Sequence, residues 1–160
     1  MRYSVTDKVV LITGSNLGIG KATAIKLSNM GAKVIINGRK ADRLEAVRSE
    51  IEQSGGKALA IAADVTNPAD CERMMLQIIE HYGRLDVLIS NAGISMRGSF
   101  EEVSPEVFKN VMDVNFHGAV NITKAALPHL KESRGRIMYI SSVAGIRGLQ
   151  GISAYCSAKM

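Results

Sequence analysis

The chain has 160 residues, 46% of them hydrophobic and 22% charged, which is enough apolar material for one substantial core and excludes a disordered chain. Its apolar runs are far shorter than a bilayer span, and no charged leader precedes a long apolar stretch, so the expectation is a soluble cytoplasmic protein without a membrane span. The net charge of +5 comes from scattered residues and only 4% of the chain is aromatic, which argues against a nucleic-acid partner and for a phosphorylated small ligand.

Read in chain order, short β-branched runs alternate with longer segments of helical period. KVVLIT (8–13) is the first expected strand, followed by a helix at about 18–30. AKVIIN (32–37) precedes a helix at about 41–53, and ALAIAAD (58–64) precedes one at about 68–82. LDVLIS (85–90) leads to a long helix at about 104–132, and GRIMYISS (135–142) is the fifth strand. Pro68 and Pro105 stand at first-turn positions after Asn67 and Ser104, while Gly31, Gly55 and Gly83 fall where helices should stop. The strands are almost continuously apolar, as strands covered on both faces are. The fold class is therefore α/β, a Rossmann-type doubly wound parallel sheet of five strands, in a single dinucleotide-binding domain over 1–160. Cys71 and Cys156 lack metal-ligand spacing and read as free thiols in a reducing compartment. No metal is expected.

Ligands of such sheets sit beyond the carboxyl ends of the strands. After the first strand comes TGSNLGIG, in which Gly14, Gly18 and Gly20 let backbone amides approach a pyrophosphate at a helix N-terminus. The alternative is a plain strand-to-helix turn. Gly14, Ser15, Asn16, Gly18, Ile19 and Gly20 are the candidate cofactor-binding residues of this stretch. After the second strand, NGRK lacks the carboxylate that would greet the ribose hydroxyls of NAD(H). Arg39 offers a planar charged fork instead, which favours NADP(H) over NAD(H) through the 2′-phosphate, while Lys40 reads as surface.

With TGxxxGIG on the page, and with ADV, SNAG and YCSAK further on, the chain resembles the short-chain dehydrogenase/reductase family along essentially its whole length. The resemblance implies that Asp64, after the third strand, contacts the adenine with Val65 beside it, although an Asp at a strand end also serves to fix a turn. It implies that Asn91, Ala92 and Gly93 line the cofactor cleft. Ser90 departs from the family's NNAG, a difference that bears on local stability more than on chemistry.

The catalytic set that the resemblance implies is Asn115, Ser142, Tyr155 and Lys159, with Tyr155 and Lys159 also contacting the cofactor. Tyr155 and Lys159 are four residues apart and share one helix face, where an ammonium favours the phenolate and brings proton transfer toward working pH. Ser142 stands thirteen residues before Tyr155, as the family's serine does, and Ser141 is expected to point to the opposite sheet face. Asn115 would hold a water against the lysine. His81, His117 and His129 read as structural or surface residues.

The implied reaction is reversible hydride transfer between a nicotinamide and a small-molecule carbonyl or secondary alcohol, with Tyr155 as general acid/base. The polar stretch 93–104 is expected to flank the substrate. The family also implies a chain that continues past Lys159, so the domain looks truncated on its carboxyl-terminal side with GRIMYISS left as a sheet edge. In full-length form it is expected to be a homo-oligomer paired through the helices of 104–132 and 155 onward. The alternative is a truncated nucleotide-binding module without efficient catalysis.

Overall fold

The computed structural model describes residues 4–160. Five strands, β1 (Val9–Ile12), β2 (Lys33–Gly38), β3 (Lys57–Ala62), β4 (Val87–Ser90) and β5 (Arg136–Tyr139), form one sheet in the order β3-β2-β1-β4-β5. Every pairing is parallel. The helices are α1 (Gly18–Asn29), α2 (Ala41–Gln53), α3 (Pro68–Tyr82), α4 (Pro105–Met112), α5 (Gly118–Ser133) and α6 (Ser153–Lys159).

The apolar runs have their cause in the two-residue period of a strand. Val9 and Leu11 of β1 point to one face, into a core with Cys71, Met74 and Ile78 of α3 and Ile122 and Ala126 of α5. Val10 and Ile12 point to the other, against Ala24 of α1 and Leu44, Val47 and Ile51 of α2. A strand covered by helices on both sides has no polar face to spare. Each fully buried aliphatic side chain of this kind contributes about 1.5–3 kcal/mol.

Helix boundaries follow the expected chemistry. The side chain of Asn67 accepts the Ala69 amide at 3.0 Å with Pro68 next to it, and α3 stops at Gly83, whose φ of 72° is left-handed. The Ser104 hydroxyl accepts the Val107 amide at 3.4 Å ahead of Pro105.

Two expectations need correction. The long helix over 104–132 is interrupted by a π-helical turn, Asp113–His117, between α4 and α5. The segment stays helical throughout, so periodicity alone did not reveal the wider turn. The fifth strand ends at Tyr139 instead of running to 142. β4 has already finished at Ser90, so after the Ile140 amide bonds the Ser90 carbonyl at 3.0 Å the chain has no neighbour to pair with. It enters a 3₁₀ turn, Val143–Gly145. β5 is a sheet edge, with Met138 and Tyr139 exposed. No helix among the described residues is long and apolar enough to cross a membrane.

At the amino end of the central seam lies Asp86, its side chain only 3% exposed. Its Oδ2 accepts the Val9 amide at 3.0 Å and Arg84 Nε at 3.1 Å, and its Oδ1 accepts Arg84 Nη2 at 2.6 Å. Burial opposes charge on this carboxyl, but the Val9 amide and the Arg84 guanidinium outweigh it and hold the group below the usual carboxylate range. A depressed carboxyl stabilises the fold above its unfolded value of about 3.9 and loses that contribution as pH falls through the lower folded value. Asp86→Ala should therefore cost about 2 kcal/mol in urea unfolding at pH 7, because it leaves the buried Val9 amide unpaired, and the difference from the parent should shrink below about pH 4.

Candidate active site

Because β1 is flanked by β2 on one side and β4 on the other, crossovers leave it in opposite directions and open a crevice at its carboxyl end. A cleft of about 630 Å³ runs there from Arg39 to Tyr155.

The middle of the cleft is the glycine loop. Gly14 has φ +63°, and a Cβ on it would stand 2.8 Å from Ala92 Cα, while a Cβ on Gly20 would stand 2.5 Å from the Gly14 carbonyl oxygen. Only glycine permits this approach of the loop to the turn after β4. Thr13 fastens the same turn: its Oγ1 accepts the amides of Asn91 and Ala92, each at 3.0 Å. Asn91 answers by donating its side-chain amide to the carbonyls of Thr13, at 2.8 Å, and Gly14, at 3.2 Å.

α1 then begins at Gly18. Its N-cap, Leu17, makes no side-chain cap bond and no acidic residue occupies the first turn, so the helix presents amides and the positive end of its dipole to the cleft. A pyrophosphate fits these donors and the open space beside Gly18, where a Cβ would meet nothing within 4 Å.

Gly14, Asn16, Gly18, Ile19 and Gly20 line the cleft as the sequence suggests. Ser15 does not line it. Its hydroxyl is buried, donating to the Ile12 carbonyl at 2.7 Å and accepting the Asn37 amide at 2.9 Å, so it braces β1 against β2 from beneath the loop.

At one end stand Arg39, Asp64 and Val65. Asp64 Oδ1 accepts both the amide and the hydroxyl of Thr66 at 2.9 Å, so this Asp fixes a turn while also facing the cleft. Its Oδ2 lies 3.9 Å from Arg39 Nη1. Lys40 and Arg43 line the same end, making three cations there. Arg43 was missed in the sequence. The signal was its place in the first turn of α2, which starts two residues after Arg39 and brings that turn back to the strand end.

At the other end, α6 presents Tyr155 and Lys159 to the cleft. Lys159 Nζ lies 5.8 Å from the Tyr155 ring centroid and donates to the Ile140 carbonyl at 2.9 Å. Burial lowers the pKa of this half-buried ammonium. Ser142 lines the cleft from the cap of the 3₁₀ turn, where its Oγ accepts the Ala144 amide at 3.2 Å and so keeps its O–H for another acceptor. Ser141 lines the cleft too, since β5 has ended and strand alternation no longer separates the pair.

Asn115 sits behind the cleft in an adjoining cavity of about 410 Å³ that Lys159 also touches. Its Nδ2 donates to the carbonyls of Ile94 and Val111 at 2.8 Å, and its buried Oδ1 has no partner among the described residues. A Cβ on Gly93 would stand 2.6 Å from that oxygen and 3.7 Å from Lys159 Nζ, so amide and ammonium converge on one small space. The π-helical turn is what aims Asn115 there. Asn91, Ala92 and Gly93 line the main cleft.

Sheet order, glycine loop and crevice define a Rossmann-type α/β protein. The model of the short chain dehydrogenase family matches residues 8–160, and the chain belongs to that family of oxidoreductases. It is 42% identical over 158 residues to 11-beta-hydroxysteroid dehydrogenase-like 2 of Arabidopsis thaliana, covering 98% of this chain and 51% of the relative. Versicolorin reductase of Emericella nidulans is 37% identical over 158 residues, covering 98% of this chain and 60% of that protein. Thus the chain spans roughly half to three-fifths of the length of these curated relatives.

Among solved structures, a metagenomic short-chain oxidoreductase in complex with NADP matches at TM-score 0.91 and 31% identity, over 98% of this chain and 72% of that one. An NADH-dependent reductase of alginate metabolism matches at TM-score 0.89 and 32% identity, over 97% and 67%. The shared fold thus serves either nucleotide, and preference must come from local residues.

Thr13→Val should leave two amides without their acceptor and cost about 2 kcal/mol in denaturant unfolding, with weakened nucleotide binding as the glycine loop loosens.

Proposed function

We propose that the chain is the cofactor-binding and catalytic portion of an NADP(H)-dependent oxidoreductase acting on a small carbonyl or secondary alcohol. One observation carries the reading: a single cleft has three cations and a carboxylate at one end and a tyrosine, a lysine and a serine at the other, with a glycine loop between them. Arg39 would take the 2′-phosphate, Asp64 and Val65 the adenine, and the loop amides the pyrophosphate. Asn91, Ala92, Tyr155 and Lys159 would hold the nicotinamide half. When bound, the nicotinamide donates or accepts the hydride.

The chain's own part is to move a proton and steady an oxygen. In the reducing direction Ser142 donates its free O–H to the substrate oxygen as negative charge grows there. Tyr155 delivers the proton that completes the alcohol. The Lys159 ammonium beside it stabilises the phenolate left behind. Asn115 Oδ1 offers an acceptor to a water beside Lys159, through which the proton is replaced. Full-length pairing through α5, which exposes Val120 and Leu127, belongs to the same proposal.

A second reading, a nucleotide-binding module without efficient turnover, draws on the exposed edge of β5. Tyr155→Phe separates the two. On the first reading it lowers NADPH-dependent carbonyl reduction by about 10²–10⁴-fold while NADPH still binds, its affinity changed far less than its turnover. Unaltered turnover in the variant would remove Tyr155 from the chemistry, and no turnover in either form would favour the second reading. Arg39→Asp should move preference from NADPH toward NADH in paired titrations, and an unaltered ratio of affinities would take Arg39 out of the phosphate site.

A further inference from the structure

We infer that Asp64 is the counter-ion of Arg39 and restrains the preference for NADPH, because its carboxylate competes with a 2′-phosphate for the same guanidinium. The inference rests on Arg39 as the phosphate contact, as proposed above.

The two residues follow tied strand ends, Arg39 directly after β2 and Asp64 separated from the end of β3 by Ala63 alone. Asn37 of β2 donates its side-chain amide to the carbonyls of Ile61 and Ala63, each at 3.2 Å, and the Ala63 amide bonds Gly38 O at 3.1 Å. Arg39 and Asp64 are therefore held side by side by backbone. The Asp64 amide is anchored on Asp70 Oδ2 at 3.0 Å, and Asp70 is itself paired with Arg73 at 2.6 Å. With Oδ1 occupied by the two Thr66 donors, the carboxylate is fixed in rotation and Oδ2 is the oxygen turned toward Arg39, 3.9 Å away.

Both partners are partly exposed, Arg39 at 69% and Asp64 at 35% of the side chain, so the pair is a weak one that a phosphate can break. Breaking it still has consequences. A phosphate that engages Arg39 takes the guanidinium from the carboxylate and then lies near a like charge, whereas a ribose hydroxyl can donate to that carboxylate. Lys40 and Arg43 at the same end offset the repulsion, which is why phosphate binding survives it. Asp64 is thus a positioning residue whose effects on the two nucleotides are opposite in sign.

Asp64→Asn tests this, since asparagine keeps an Oδ1 for the Thr66 donors while the Oδ2 that faces Arg39 becomes a neutral NH2 that no longer attracts the guanidinium. NADPH and NADH are titrated calorimetrically into the parent, Asp64→Asn, Arg39→Ala and the double variant. The expected result is a rise of about fivefold in the NADPH-to-NADH affinity ratio for Asp64→Asn, shrinking as salt is raised from about 50 to 500 mM. In the Arg39→Ala background the same change should move the ratio by clearly less than in the parent, because the competition for the guanidinium is gone. The ratio cancels any adenine contact that both nucleotides share. An Arg39→Ala variant that loses NADPH preference beside an Asp64→Asn variant with the parent's ratio would overturn this inference alone. A change of both affinities by one factor in Asp64→Asn would do the same, showing a structural role only. An Arg39→Ala variant with the parent's ratio would overturn the reading of Arg39 and this inference together.

Discussion

Two backbone amides, those of Asn91 and Ala92, converge on one hydroxyl, Thr13 Oγ1, and the rest of the site depends on that junction. It joins the carboxyl ends of β1 and β4 where the ladder between them has run out and the crevice must open. At the other end of the same seam the Asp86 carboxylate takes the Val9 amide, while the Asp86 amide bonds Val9 O at 2.9 Å. A parallel pair of only four-residue strands is thereby pinned at both ends by side chains. Because Thr13 and Asn91 satisfy the polar groups of the two turns internally, the first amides of α1 are left to face the cleft.

The cleft is divided electrically. Cations gather where β2 and β3 end, and a half-buried ammonium stands where β5 and α6 meet. Lys159, whose pKa burial lowers, donates to the Ile140 carbonyl, a group left out of the sheet because β5 stops one residue earlier. Strand termination and the geometry of the Tyr155–Lys159 end of the cleft are thus one event. The early end of β5 also frees Ser142 to cap a 3₁₀ turn and turn its hydroxyl outward.

Much of this was legible in the sequence. β1, β2 and β4 announced themselves because strands buried on both faces carry runs such as VVLI and VIIN, and Asn67-Pro68 and Ser104-Pro105 marked helix starts through local chemistry that no tertiary context overrides. The end of β5 was not legible, since Ile140, Ser141 and Ser142 suit a strand and only the earlier end of β4 denies them a partner. The π-helical turn was hidden for a similar reason: every residue from Pro105 to Ser133 is helical, and one wider turn leaves no compositional mark. Ser15 sits inside the glycine motif, yet its hydroxyl is spent on Ile12 and Asn37, a fact set by how β2 lies against β1. Arg43 joined the cationic end through the return of α2, which spacing indicated only once the fold was drawn.

We propose that one continuous cleft holds one dinucleotide, its phosphate end at Arg39 and its reactive end at Tyr155. The most direct test of this is a calorimetric titration of NADPH into the chain, repeated after saturation with 2′,5′-ADP, which carries the phosphate end alone. The expected result is one site per chain, blocked competitively by the fragment. NADPH heats that are absent, or that persist undiminished beside saturating fragment, would contradict it.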